Sequence, residues 1–119
     1  MGVVNTHRGL QIWQKSMALV TLIYKLTDAF PENEKFGLTS QIRRSSVSVP
    51  ANIAEGFGRR SNGDFKRFLN IEMGSLFELQ TEIEISVNLK LLSKDDFEML
   101  YNQTREIERM MSSFIRTLN

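Results

Sequence analysis

The segment Gly56-Phe57-Gly58-Arg59-Arg60-Ser61-Asn62-Gly63 sets two adjacent arginines among glycines just ahead of a helix start. Backbone amides and guanidinium groups in such a segment can meet a phosphate. The segment lacks the Gly-Lys-Ser/Thr ending of a phosphate loop, does not read Gly-x-Gly-x-x-Gly, and follows helical rather than strand patterning. A dedicated nucleotide site is therefore not expected, and a helix–helix turn with solvated arginines is the default reading.

Around this segment the charge is uneven. Positions 35–67 carry Lys35, Arg43, Arg44, Arg59, Arg60, Lys66 and Arg67 against Glu55 and Asp64 alone, whereas from Phe68 onward acidic residues outnumber basic ones. The net charge of +1 conceals this split. Arginine pairs bidentately with phosphate, so Arg43, Arg44, Arg59, Arg60, Lys66 and Arg67 are the candidate nucleic-acid contacts. In a helical hairpin Arg59, Arg60, Lys66 and Arg67 gather at one end, with Arg43 and Arg44 roughly 20 Å back along the axis. The competing reading pairs several of these arginines with glutamates of later helices, within or between chains.

Other chemistry is largely excluded. The chain has no cysteine and a single histidine, His7. That removes disulfides, thiol nucleophiles, cysteine-based zinc sites and multi-histidine metal sites. No histidine stands three residues after a glutamate, as di-iron bundles require, and neither Ser-x-x-Lys nor Gly-x-Ser-x-Gly occurs. Glu72, Glu78, Glu82 and Glu84 read mostly as exposed faces of one helix. Glu55 reads as a half-buried structural partner for an arginine. No catalytic residue, metal or cofactor is expected, and the chain reads as non-enzymatic. Trp13, with Met17 one turn on, reads as a core or subunit contact rather than a stacking platform for a base.

The elements that position these residues are helical. At 119 residues, with 41% hydrophobic and 24% charged, the chain suits one globular domain over 1–119. A first helix is expected from about Leu10 to Ala29, with Leu10, Trp13, Met17, Val20, Tyr24 and Thr27 as its apolar row. Leu19, Ile23, Leu26 and Phe30 widen that stripe, and Pro31 ends it. A second helix runs from near Glu34 to about Glu55, with Leu38, Ile42, Val49 and Ile53 inward. Pro50 should kink or break it, and Gly56 and Gly58 should close it in the left-handed conformation. Ser61 and Ser93, each followed three residues later by an acid, mark two further helix starts. The third helix reaches about Lys90 with Phe65, Phe68, Leu69, Leu76, Leu79, Ile83 and Val87 inward. The fourth carries Phe97, Leu100, Thr104, Ile107, Met111 and Leu118. Four helices joined by short turns predict an all-α, antiparallel up-and-down four-helix bundle, its second helix kinked at Pro50.

The order of motifs adds a resemblance. Ile12-Trp13-Gln14-Lys15, Phe30-Pro31, Gln41-Ile42-Arg43-Arg44, Ser46 through Gly56, Arg67-Phe68-Leu69, Gly74-Ser75-Leu76 and Glu78-Leu79 together resemble the bacterial 23S rRNA intervening-sequence proteins. Those proteins are also called the four-helix bundle family. They are related to the accessory variability proteins of diversity-generating retroelements. The resemblance implies an up-and-down bundle that assembles as a homopentamer, a link to structured RNA or a ribonucleoprotein, and no catalytic activity. It also implies structural roles for Trp13, Pro50, Asn52, Glu55, Gly56 and Gly74. Relatives often read Ile-Ala-Arg/Lys-Gly-Ser where this chain has Ile71-Glu72-Met73-Gly74-Ser75, a loss of basic charge on the third helix. The wide apolar stripe of the first helix (Trp13, Leu19, Ile23, Phe30) suits burial in a ring of subunits. The alternative is a scaffold that docks a protein partner, a reverse transcriptase or a ribosomal factor, without touching nucleic acid. No apolar run approaches a membrane span, and a cytoplasmic location is expected.

Overall fold

The computed structural model describes residues 4–118. Four helices account for most of them: α1 (Gln11–Thr27), α2 (Leu38–Gly58), α3 (Asn62–Asn88) and α4 (Lys94–Thr117). Short 3-10 turns at His7–Gly9 and Glu32–Glu34 precede α1 and α2, and the described residues contain no strand. The molecule measures 43 × 25 × 20 Å, and its long dimension is about that of the 27-residue α3 at 1.5 Å per residue. Among the described residues no helix is long and apolar enough to cross a membrane.

Side-chain pairs show how the helices return on one another. Ser48 meets Ser75, and Gly56 packs on Phe68, so α3 runs back along α2. Gln80 bonds Thr104 and Glu108 while Phe65 meets Phe114, so α4 runs back along α3. Lys15 pairs with Glu106 at 3.3 Å and links α1 to α4.

The helix starts follow local chemistry. Ser61 Oγ accepts from Asp64 N–H at 3.3 Å and Ser93 Oγ from Asp96 N–H at 3.0 Å, each capping a first turn that carries acids. The helix ends depart from expectation. None of the described glycines has a positive φ; the left-handed positions are Arg60 (φ 59°) and Lys90 (φ 63°). After α3, Leu91 N–H wraps back to the Ser86 carbonyl, the bonding that a left-handed residue permits. Gly56 and Gly58 are helical residues of α2, not its terminators.

Pro50 does not break α2, which runs without interruption from Leu38 to Gly58. Proline removes one N–H, the partner of the Ser46 carbonyl, and the rest of the helix ladder survives that single loss.

The core draws on all four helices. On α3 the row Phe65, Leu69, Glu72, Leu76, Leu79, Ile83 and Ser86 repeats at alternating spacings of four and three, and all seven are buried. Two expectations need correcting here. Glu72 (0% exposed) and Glu82 (9%) are buried rather than on a solvated face, while Glu78 and Glu84 are exposed. On α1 the inward row is Ile12, Ser16, Leu19, Ile23 and Thr27, whereas Met17 and Tyr24 are exposed and Trp13 and Val20 half-buried. Leu19, Ile23 and Phe30 therefore line the core, and the apolar surface that α1 leaves outside comes from Met17 and Tyr24. The buried hydroxyls fit because they bond backward: Ser16 to the Ile12 carbonyl at 2.6 Å, Thr27 to Ile23 at 2.7 Å, Ser86 to Glu82 at 2.9 Å.

Candidate nucleic-acid interface

The structure separates the six candidate phosphate contacts into three kinds. Arg43 is engaged inside the fold. Its Nε donates to Thr27 Oγ1 at 2.9 Å, and its outer nitrogen reaches Asp28 at 3.0 Å and the Tyr24 carbonyl at 3.3 Å. Its guanidinium also lies over the Tyr24 ring at 4.5 Å. These bonds satisfy carbonyl and carboxylate acceptors at the end of α1 and clasp it to α2.

Arg59 and Arg67 hold the α2–α3 turn from both sides. Each guanidinium lies over the Phe68 ring, at 5.3 and 4.9 Å, and each has a near-sequence carboxylate: Glu55 for Arg59 at 3.1 Å, Asp64 for Arg67 at 3.7 Å. Glu55 is thus paired with an arginine, but it is exposed rather than half-buried. Exposed pairs of this kind contribute at most about 1 kcal/mol, so both guanidinium groups can exchange their carboxylates for a phosphate at little cost.

Arg60, Lys66 and Arg44 make no ion pair among the described residues. Arg60 and Lys66 flank the same turn, and both are exposed. Arg59, Arg60, Lys66 and Arg67 thereby form one basic rim at the end of the hairpin. Arg44 stands apart on α2.

Arg60 carries a further signal. It occupies the left-handed position just past α2, where a residue with a Cβ is disfavoured by about 1 kcal/mol relative to glycine. Arg60→Gly is therefore expected to raise the melting temperature by several degrees, read by circular dichroism, because it relieves the backbone while removing only an exposed, unpaired side chain.

Gly56 is what lets the rim form. A Cβ there would stand 2.7 Å from Phe68 Cβ and 3.1 Å from a Phe65 ring carbon, so only glycine allows the end of α2 to seat on the first turns of α3. Gly74, by contrast, is exposed within α3, and a Cβ there would meet nothing within 4 Å. Trp13 sits edge-on to His7 at 4.9 Å with Arg8 over its ring at 5.5 Å, packing the 3-10 turn onto α1.

Between α2 and α3 runs a second polar feature that sequence reasoning missed. Ser48 and Ser75 share a hydrogen bond of 2.8 Å, Asn52 donates to the Ser48 carbonyl at 3.0 Å, and Ser48 Oγ lies 3.5 Å from Glu72 Oε1. Burial pushes the Glu72 carboxyl up to about 8, against the opposing effect of its contacts to Asn52 and Ser48. Burial also raises Glu82, with Ser45 opposing and the charge of Glu78 adding to the rise. The signal for both positions was the four-and-three spacing of α3, which places 72 on the inward row and 82 at its edge. Among the described residues no group of three or more His, Cys, Asp or Glu is arranged to hold a metal ion.

Comparison with known proteins finds matches of two kinds, a family profile and solved structures. The profile of the 23S rRNA-intervening sequence protein family matches residues 8–113. A solved structure of a protein of unknown function from the S23 ribosomal protein family, from Bacteroides thetaiotaomicron VPI-5482, is 27% identical with a TM-score of 0.82. That match covers 88% of this chain and 95% of the other. No curated protein matches the chain.

Proposed function

This chain belongs to the 23S rRNA-intervening sequence protein family, and on that footing we propose that it is a non-enzymatic, homo-oligomeric bundle that binds structured RNA through its basic rim. The observation that carries this reading is the rim itself. Arg59, Arg60, Lys66 and Arg67 surround one turn, and Arg60 stands in a conformation that glycine would fill at lower cost. An exposed arginine at a position that costs stability suits a role outside folding. The resemblance implies that the copies assemble as a pentamer, which would multiply the rim around a ring.

The test is charge reversal. Arg59→Glu with Arg60→Glu is expected to abolish RNA retention in a filter-binding assay while helical content and oligomeric state stay unchanged. Arg43→Gln, which removes only the α1–α2 clasp, is expected to retain RNA. Unchanged retention in the doubly reversed protein would mean that the rim is not the contact.

A second reading has its own support. Phe36 is 91% exposed, the outer side of α3 exposes Ile71, Phe77 and Ile85, and Leu89 is exposed just past its end. Apolar side chains gathered on one helix face mark contact surfaces. They suit either the joints of the oligomer or a scaffold that docks a protein partner, such as a reverse transcriptase or a ribosomal factor, without RNA. Capture of such a partner by a protein that binds no RNA at low salt would favour the scaffold.

A further inference from the structure

The groove between α2 and α3 lies back along the helices from the basic rim, and its chemistry asks for a different ligand. It is an open groove of about 490 Å³, within the range of small-molecule sites, and every residue that lines it is polar or charged. From α2 it takes Gln41, Arg44, Ser45 and Ser48; α3 supplies Ser75, Glu78 and Glu82.

Glu82 is nine-tenths buried and its Oε1 has no hydrogen-bond partner. Behind the Ser48–Ser75 hydroxyl pair, the fully buried Glu72 leaves its Oε2 unpartnered as well. Buried carboxyl oxygens are ordinarily bonded, so each of these two is open to a further partner. Arg44 lines the same groove yet lies within 4 Å of neither Glu78 nor Glu82.

We propose that the groove binds a free α-amino acid, its ammonium group on Glu82 and Glu78 and its carboxylate on Arg44. An ammonium offers three donors and a compact positive charge, which matches the unpartnered Glu82 oxygen and its exposed neighbour Glu78. A guanidinium is the natural fork for a carboxylate. The three serine hydroxyls and the Gln41 amide supply further donors and acceptors around the polar centre of such a molecule. A simple polycation would leave Arg44 opposed to it, and a simple anion would face two carboxyls; a zwitterion offers a partner to both signs of charge.

The experiment is a titration of the full-length protein with each common L-amino acid, followed through the backbone amide resonances of Ser45, Ser75 and Glu78. Methylamine and acetate serve as half-ligands. At least one amino acid is expected to shift these resonances saturably, with each half-ligand at least about tenfold weaker because it engages one charged end only. Arg44→Gln, an exposed substitution, and Glu82→Gln are each expected to weaken that binding by about tenfold or more. The protein reversed at Arg59 and Arg60 is expected to bind the amino acid as before, whatever its behaviour toward RNA. If no amino acid shifts these resonances, if methylamine binds as tightly as the best of them, or if Arg44→Gln binds unchanged, the proposal is wrong.

Discussion

At pH 7 the Glu72→Gln protein is expected to be more stable than the natural protein by about 3 kcal/mol. The reason is the burial of a carboxyl in the inward row of α3, which the contacts to Asn52 and Ser48 offset only in part and where Oε2 has no partner. Burial holds this group's proton to about pH 8, whereas in the unfolded chain it is released near 4.5. The folded state therefore binds one proton more than the unfolded state between those values. Stability is fully present below about pH 4.5 and falls by about 1.4 kcal/mol per pH unit as the pH rises toward 8. Above 8 both states are ionised at this position and the loss levels off. Urea unfolding at pH 5 and pH 8 should show the natural protein losing most of that stability and Glu72→Gln losing far less. The part left in the variant has the same sign and comes from Glu82, whose carboxyl is raised by burial with Ser45 opposing and Glu78 adding to the rise. Equal pH dependence in the two proteins would mean that Glu72 is not protonated in the fold.

Gly56→Ala is expected to destabilise the bundle by about 2 kcal/mol, the overpacking cost less what alanine gains over glycine within a helix. The obstacle is Phe68 Cβ at 2.7 Å, an atom bonded to the backbone that cannot swing away as the end of a long side chain could. Gly58 and Gly74 are the controls, since a Cβ at either meets nothing within 4 Å and neither has a positive φ. Alanine there should stabilise by up to about 1 kcal/mol. Chemical denaturation of the three variants separates close helix approach from the general cost of glycine in a helix. A Gly56→Ala protein as stable as the other two would show that α2 and α3 are not held together at that point.

Much of this architecture was legible because it depends on neighbours in sequence. The caps at Ser61 and Ser93, the four helices and the apolar row of α3 follow from local spacing and short-range hydrogen bonds. The inward face of α1 was misread for a physical reason. The row through Trp13, Met17, Val20 and Tyr24 is the more apolar by composition, while the core row that shares Thr27 with it contains Ser16. That hydroxyl is hidden by a bond to its own helix, which hydrophobic patterning does not register. At Glu72 and Glu82 residue type argues for an exposed face, and position on the helix overrides it. The clasp of Arg43 onto Tyr24, Thr27 and Asp28 joins two helices across a turn, and a charge count along the chain carries no sign of it. Of the candidate site, the four residues of the rim were legible as a group because the turn that gathers them is short. The polar groove was not, because it exists only once α2 and α3 are side by side.

The central claim, that the rim neutralises RNA phosphates, is tested most directly by fluorescence-anisotropy titration with a structured rRNA fragment at two salt concentrations. Four phosphate contacts per subunit should weaken binding by about a hundredfold between about 50 and 200 mM salt. The expected result is tight binding at the lower concentration with a loss of at least that size, and no such binding when Arg59 and Arg60 are reversed. No binding at low salt, or an affinity indifferent to salt, would contradict it and leave the basic rim a part of folding and assembly alone.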